Sequence, residues 1–380
     1  MQSKLLSKRH DVTNALSRVR ATGVSIWLDD LSRERLSGSL HDLIETRHVS
    51  GVTTNPAIFS AAIIGSGIYQ EDLERMARAG LDAGSIIKEL TISDVREAAK
   101  IFTRVFEESK GVDGRISIEV DPELARNAEE TIVSGVALWE KVARENILIK
   151  VPATTEGLVA IEELTSRGIS VNVTLIFTPD RYKEVISAYF NGLESRLKTG
   201  GRIDNIHSVA SFFISRIDTE IDKRLRTLLT PHDFSNLRGK AAIANALIAY
   251  QVFQESLAST RWSALRDSGA QMQRPLWAST GVKDPDYPAT LYVESLLTAF
   301  SVNTMPESTL QAVASLPVDY PLFEANADPD RYLLAEQHIE RLKDFEIDIN
   351  EIGMLLEDEG LEKFVSPWRE LHSNVQKRMA

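Results

Sequence analysis

The segment ENILIKVPATTEG sets one lysine, Lys150, between the aliphatic run Ile147, Leu148, Ile149 and Val151. No other lysine in the chain follows three aliphatic residues. Such a run reads as a strand of a parallel sheet covered on both faces, so its ammonium must either snorkel at a strand end or sit inside near other polar groups. Burial disfavours the charged form of an amine, and a neutral amine attacks carbonyl carbon. A structural ion pair is the competing reading of the same residue.

Other apolar runs also end on polar residues. Asp29 closes SIWLD, Glu119 lies near the end of RISIEV, Asn172 and Thr174 alternate in SVNVTLIF, and Thr53 and Asn55 alternate in GVTTNPAIF. Side chains two apart on a strand share a face, so each alternating pair points one way. Schiff-base chemistry needs an amine, a carboxylate that moves the proton when a carbon–carbon bond breaks or forms, and a second acid/base that acts through water on the carbinolamine. Lys150, Asp29 and Glu119 supply one of each. Against this, Asp29 competes with Asp30 to cap a helix in LSRERL, and Glu119 has the reading of a strand-end ion pair.

Residues this far apart can converge only if the elements carrying them form one sheet. Short β-branched runs alternate with longer helical patterns, the trace of βα units. Strands are expected at residues 25–29, 51–54, 115–120, 147–151, 169–177, 207–213, 275–279 and 301–305, the last on the weakest pattern. Asp121-Pro122 and Thr178-Pro179 read as helix starts, an N-cap followed by a first-turn proline. Behind them run the stripes Ala125, Ala128, Ile132, Gly135, Trp139, Val142 and Tyr182, Ile186, Tyr189, Leu193. Residues 240–267 are too long and too apolar on one side for a loop, so extra helices are expected between the sixth and seventh strands. Beyond Asp328 the chain is charged and helical, with Pro367 its only late proline, and is expected to pack outside or across the barrel. The expected fold is an α/β (β/α)₈ TIM barrel, residues 1–380 as one domain, with those additional helices. In such a barrel the active site lies at the C-terminal ends of the strands.

Composition narrows the partners. A net charge of −12 leaves no basic stripe for nucleic acid or an anionic membrane. The chain has no cysteine, which excludes disulfides, thiolate ligands and a Cys nucleophile. Its seven histidines show no metal spacing, and His207, just before a strand, reads as packing. The GSG of Gly65–Gly67 lacks a phosphate-loop motif around it. Charges interrupt MQSKLLSKRHDV before a signal core forms, and no uncharged apolar run reaches the roughly 20 residues of a membrane helix. A cytoplasmic protein is expected; its oligomeric state is left open, a homodimer included.

The segments SIWLDDLSRERL, GVTTNPAIF, ISIEVDPEL, ILIKVPATTEG, ISVNVTLIF and SVASFFISRID resemble the successive signature blocks of the transaldolase family, in the family's order. The long form with WASTGVK resembles the family's actinobacterial-type branch. The resemblance implies Lys150 as the Schiff-base lysine, Asp29 as the acid/base at the cleaved bond, and Glu119 with Thr174 as holders of the catalytic water. It implies Thr53, Asn55 and Asn172 as partners of substrate hydroxyls, and Ser211 and Arg216 as phosphate ligands. Phe213 stands where related fructose 6-phosphate aldolases tend to carry tyrosine, which favours transfer over plain aldol cleavage. RPLWASTGVKDPDY keeps the family's serine, Ser279, but lacks the arginine that shorter members place after it; Lys283 is the candidate replacement, with an ordinary solvated loop lysine as the alternative. Implied with these are sugar-phosphate substrates, no metal or organic cofactor, and a place in the pentose phosphate pathway.

Overall fold

Eight short apolar runs become eight parallel strands: β1 Ser25–Leu28, β2 Val49–Val52, β3 Arg115–Glu119, β4 Ile147–Pro152, β5 Val171–Ile176, β6 Ser208–Phe213, β7 Gln273–Ala278 and β8 Val302–Met305. Each strand pairs with its neighbours in sequence, and β8 pairs with β1, which closes the sheet. Helices fill the connections, as parallel pairing requires. The chain is thus a (β/α)₈ barrel. This computed structural model describes residues 14–322 and 328–379; the charged N-terminal stretch read above for a leader, residues 1–12, lies outside them.

Strand register sets the geometry of the site. Glu119 on β3 lies opposite Lys150 on β4, Lys150 lies opposite Asn172 on β5, and Pro152 opposite Thr174. Side chains of paired residues in adjacent strands point the same way, so the lysine and the carboxylate sit side by side.

Several boundaries differ from expectation. β2 begins at Val49 and ends at Val52, so Thr53 lies just past the strand, where its N–H still donates to the Leu28 carbonyl (2.9 Å). β5 starts at Val171, after the tight turn at Gly168, instead of at Ile169. β7 starts at Gln273 and includes Pro275; its pairing with β8 begins only at Leu276, which limits the cost of the missing proline N–H. Asp121 does not start the long helix after β3. It caps a single 3₁₀ turn, Pro122–Leu124, accepting from Glu123 N–H (2.9 Å), and Asn127 then caps the helix Ala128–Val142, accepting from Glu130 N–H (3.1 Å). Both are strong capping residues, and the second stands next to the stripe that packs. Thr178 caps Pro179–Lys198 as expected, with Tyr182, Ile186, Tyr189 and Leu193 buried.

The extra segment between β6 and β7 forms Pro231–Leu237, Ala241–Ala258 and Thr260–Asp267, after the helix Ser215–Leu228 that completes the sixth βα unit. Ala241–Ala258 has no side-chain cap of its own. Asp218, on Ser215–Leu228, accepts from Ala242 N–H (2.8 Å) and satisfies that start from across the packing interface. The C-terminal helix Ile349–Met379, with Pro367 inside it, lies across the barrel mouth. A Cβ at Gly360 would stand 2.9 Å from Leu175 Cδ2 and 3.2 Å from Arg216 Nη1, so a larger residue would displace those side chains where the helix rests on the strand ends. Among the described residues no helix is long and apolar enough to cross a membrane.

The N-terminal end of the barrel is closed by a group of polar side chains that bond to one another. Arg274 donates to Ser25 Oγ (2.6 Å) and pairs with Asp113 (3.2 Å), while Ser25 and Trp27 both donate to the same Asp113 carboxylate. His207 is half-buried near this end close to Arg115 and Arg274, and desolvation with those two cations holds it neutral, its pKa lowered to about 3.

Candidate active site

The opposite end of the barrel differs in that Glu119, Thr174 and Arg216 keep buried polar atoms without hydrogen-bond partners. A cavity of about 120 Å³ opens among the C-terminal strand ends. Asp29, Thr53, Asn55, Lys150, Thr174, Ser211, Arg216, Ser279 and Lys283 all line it, so barrel closure brings together residues spread over 255 positions (29 to 283) of the chain.

Lys150 is 4% exposed. Its Nζ donates to the Thr54 carbonyl (2.8 Å), lies 3.5 Å from Glu119 Oε2, and faces the Phe364 ring at 5.3 Å from its centroid. The ammonium does not snorkel to solvent. Glu119 is equally enclosed, and apart from this ion pair neither carboxylate oxygen has a hydrogen-bond partner. Burial pushes its carboxyl up to about 7; Lys150 opposes the rise and Asp29 adds to it. Such a group exists in both protonation states near neutrality, as a general acid/base requires. Thr174, fully buried, also has a hydroxyl with no partner. Glu119 further lines a larger cavity, about 740 Å³, between helices Ala83–Ile101, Ala128–Val142 and Ile349–Met379.

Asp29 is free of the capping role that competed for it. Ser32 caps the helix Arg33–Ser37, and Asp30 pairs with Arg35 (2.7 Å). Asp29 instead accepts from Thr53 Oγ1 (2.7 Å), and because the Thr53 proton is committed there, Thr304 Oγ1 donates to Thr53 (2.6 Å). Burial raises the Asp29 pKa, while Lys150, Thr53 and Lys283 pull it back.

Asn55 caps the helix Pro56–Gly65, its oxygen accepting from Ile58 N–H (3.0 Å), which leaves the Nδ2 donor. Asn172 does not line the cavity. It donates to Ser117 Oγ (2.8 Å) and accepts from Ser211 Oγ (2.7 Å), one layer deeper in the barrel. On the far rim, Ser279 takes a left-handed backbone (φ 56°) and shares a hydrogen bond with Ser215 (2.9 Å) at the start of Ser215–Leu228. That helix has no side-chain cap; its first N–H, that of Ser215, donates to the Ser279 carbonyl (3.1 Å), which ties the helix start to the loop after β7 beside Arg216. Arg216 stacks over Phe213 at 5.1 Å, and its buried Nη1 has no partner; burial lowers its pKa, with Glu359 opposing. Two serines, Ser211 and Ser279, thus line this side of the cavity together with Arg216 and Lys283.

Three contributors had little trace in sequence. The Thr54 carbonyl acts through backbone. Thr304 stood in the strand with the weakest pattern, although its alternation with Val302 is a signal. Phe364 comes from a helix whose place could not be read locally.

Burial also predicts how stability changes with pH. Glu119 and Asp218 are each pushed up to about 7. Between the ordinary carboxylate range, near pH 4, and pH 7 the native state then binds more protons than the unfolded chain, so stability falls as pH rises through that window. Glu119→Gln should remove one proton's share of the fall, about 1.4 kcal/mol per pH unit where that share is fully developed. Urea midpoints of both proteins between pH 4.5 and 7.5 measure it; parallel curves would mean that Glu119 titrates as it does in the unfolded chain.

A family model described as Transaldolase/Fructose-6-phosphate aldolase matches residues 26–375. A protein named transaldolase from Renibacterium salmoninarum is 50% identical over 366 residues, 96% of this chain and 96% of that one. Namesakes from Thermobifida fusca and Mycolicibacterium smegmatis are 46% and 47% identical, each over 96% of this chain and 98% and 97% of their own lengths. The match runs from within the first strand of the barrel into the helix across its mouth, so the chain belongs to the transaldolase/fructose-6-phosphate aldolase family.

Proposed function

We propose that the protein is a transaldolase, moving a dihydroxyacetone unit from sedoheptulose 7-phosphate to glyceraldehyde 3-phosphate, with erythrose 4-phosphate and fructose 6-phosphate as products, in the pentose phosphate pathway. The observation that carries this reading is an enclosed amine, Lys150, beside a carboxylate of raised pKa, with a second carboxylate, Asp29, in the same cavity wall.

Lys150 Nζ passes one proton to Glu119 and attacks the ketose C2 as a neutral amine, and a second Nζ proton passes to the former carbonyl oxygen to give a carbinolamine. Glu119, protonating the departing hydroxyl, releases it as water and leaves a protonated imine; the water is held between Glu119 and Thr174, whose oxygens have no hydrogen-bond partner apart from the Lys150–Glu119 ion pair. Asp29 then removes the proton of the C4 hydroxyl, the C3–C4 bond breaks, and its electron pair moves onto the imine to form an enamine. The aldose phosphate leaves, an acceptor aldose phosphate enters, and the steps run in reverse to the new ketose. Splitting the transfer around a covalent intermediate divides one hard step into two easier ones. Thr53 and Asn55 hold substrate hydroxyls, Asn172 acts through Ser211, and Ser211, Arg216, Ser279 and Lys283 hold the phosphate. A cytoplasmic location goes with this reading, and a homodimer is compatible with it.

Borohydride reduction with fructose 6-phosphate, followed by peptide mapping, tests the proposal: a dihydroxyacetone-derived adduct on Lys150 is expected, and an adduct on any other lysine would overturn it. Omitting the acceptor aldehyde separates transfer from aldol cleavage. With Phe213 in place of a tyrosine, dihydroxyacetone release is expected to be slow against transfer; release at the rate of transfer would identify an aldolase.

The rim makes its own prediction. Charge-assisted hydrogen bonds of this kind contribute about 1.5–3 kcal/mol, so Arg216→Ala should raise the KM for fructose 6-phosphate by roughly 10- to 100-fold with kcat little changed. A change confined to kcat would move Arg216 out of the phosphate site.

A further inference from the structure

Lys283 stands exposed on the loop after β7, flanked by two carboxylates, Asp284 and Asp286, that would be expected to hold it away from an incoming anion. They are otherwise engaged. Arg238, at the C-terminal end of the inserted helix Pro231–Leu237, donates to Asp284 Oδ2 (3.1 Å), to Asp286 Oδ2 (3.3 Å) and to the hydroxyl of Tyr287 (2.9 Å), and its guanidinium lies over the Tyr287 ring at 4.6 Å. Tyr287 in turn donates to Asp222 (2.6 Å), which also accepts from the backbone N–H of Gly239 (3.1 and 3.2 Å). Gly239 has φ 68°, and a Cβ there would come within 2.8 Å of the Tyr287 ring, so the tyrosine seats directly on the insertion's backbone. One arginine thus binds three residues of a five-residue stretch, 283–287, to the body of the barrel. Among the described residues Lys283 itself forms no ion pair, it lines the active-site cavity, and its charge reaches Asp29.

We infer that Arg238 is a positioning residue for the substrate phosphate: the insertion between β6 and β7 clamps the loop after β7, neutralises the carboxylates beside Lys283, and so holds that lysine at the cavity rim for the phosphate. The inference rests on the proposed phosphate role of Lys283. It gives the inserted helices a function in binding, by replacing a rigid arginine next to Ser279 with a flexible lysine on a braced loop.

The test compares steady-state kinetics of the full-length wild type, Arg238→Ala, Lys283→Ala and the double variant, with fructose 6-phosphate and with unphosphorylated fructose as donors. Arg238→Ala should raise the KM for fructose 6-phosphate about tenfold, with kcat within about twofold and kcat/KM for fructose unchanged, as expected for a misplaced charged phosphate ligand. The double variant should be no worse than Lys283→Ala alone, because Arg238 acts through Lys283. Tyr287→Phe, which removes the bonds to Asp222 and from Arg238 and leaves the ring, should give a smaller shift of the same kind, and serves if Arg238→Ala does not fold. Should Lys283→Ala raise the KM while Arg238→Ala and Tyr287→Phe leave it alone, or should the two losses multiply, the positioning role is wrong and the phosphate role of Lys283 stands. An unchanged KM in Lys283→Ala would overturn both. Equal losses with fructose and fructose 6-phosphate in Arg238→Ala would mark it as structural only.

Discussion

Replacing Lys150 with methionine should lower transfer by at least about 10³-fold and abolish reductive trapping altogether, because loss of a covalent nucleophile leaves only binding and electrostatics to act. Methionine keeps the unbranched shape of the stem inside the barrel, so the loss would be chemical. The methionine leaves the Thr54 carbonyl without its donor and Glu119 without its cation. With that cation gone, nothing nearby opposes the burial that already pushes the Glu119 carboxyl up, and the variant should carry it protonated at neutral pH. Thermal unfolding and circular dichroism establish that the barrel is intact; residual transfer within tenfold of wild type in a folded variant would remove Lys150 from the mechanism.

Asp29→Asn should separate the two halves of the reaction. Lys150, Glu119 and Thr174 remain, so fructose 6-phosphate should still form an imine and still be trapped by borohydride. The adduct should carry the whole six-carbon sugar phosphate, because no base is left to take the C4 hydroxyl proton. Loss of general base catalysis is worth about 10²–10⁴-fold, and transfer should fall by that factor. Asparagine preserves the contact from Thr53 through its carbonyl oxygen, so the hydroxyl relay from Thr304 to Thr53 survives. The mass of the reduced peptide decides: a three-carbon adduct accumulating at the wild-type rate would show that another group breaks the bond. Glu119 is a poor substitute, since it lies on the flank of Lys150 across the β3–β4 pair.

The contrast between the barrel's two ends supports both expectations. Arg274, Asp113, Ser25 and Trp27 satisfy one another at the N-terminal end, an arrangement that serves stability. At the C-terminal mouth Glu119, Thr174 and Arg216 each keep buried polar atoms without a protein partner. Buried groups left unpaired are costly, and they persist where water or a substrate completes them.

What the sequence by itself determined is what depends on near neighbours. An aliphatic run on either side of Lys150 marks a strand, two-residue alternation puts Thr174 on a definite face, and Thr178-Pro179 starts a helix; each is decided within a few positions by backbone sterics and local hydrogen bonds. Even there, choices between equal local signals were not legible. The sequence reads as a helix start at Asp121 and a cap at Asp29 or Asp30; the structure caps those helices with Asn127 and Ser32. The tertiary structure alone decided which polar residues are satisfied. It sank Asn172 between Ser117 and Ser211, set Glu119 against Lys150, brought Phe364 over the amine from the C-terminal helix, and tied Arg238 to the loop of Lys283. The physical reason is that these contacts exist only once eight strands close into a barrel. Closure fixes a register between residues tens to hundreds of positions apart, and no local periodicity encodes that register.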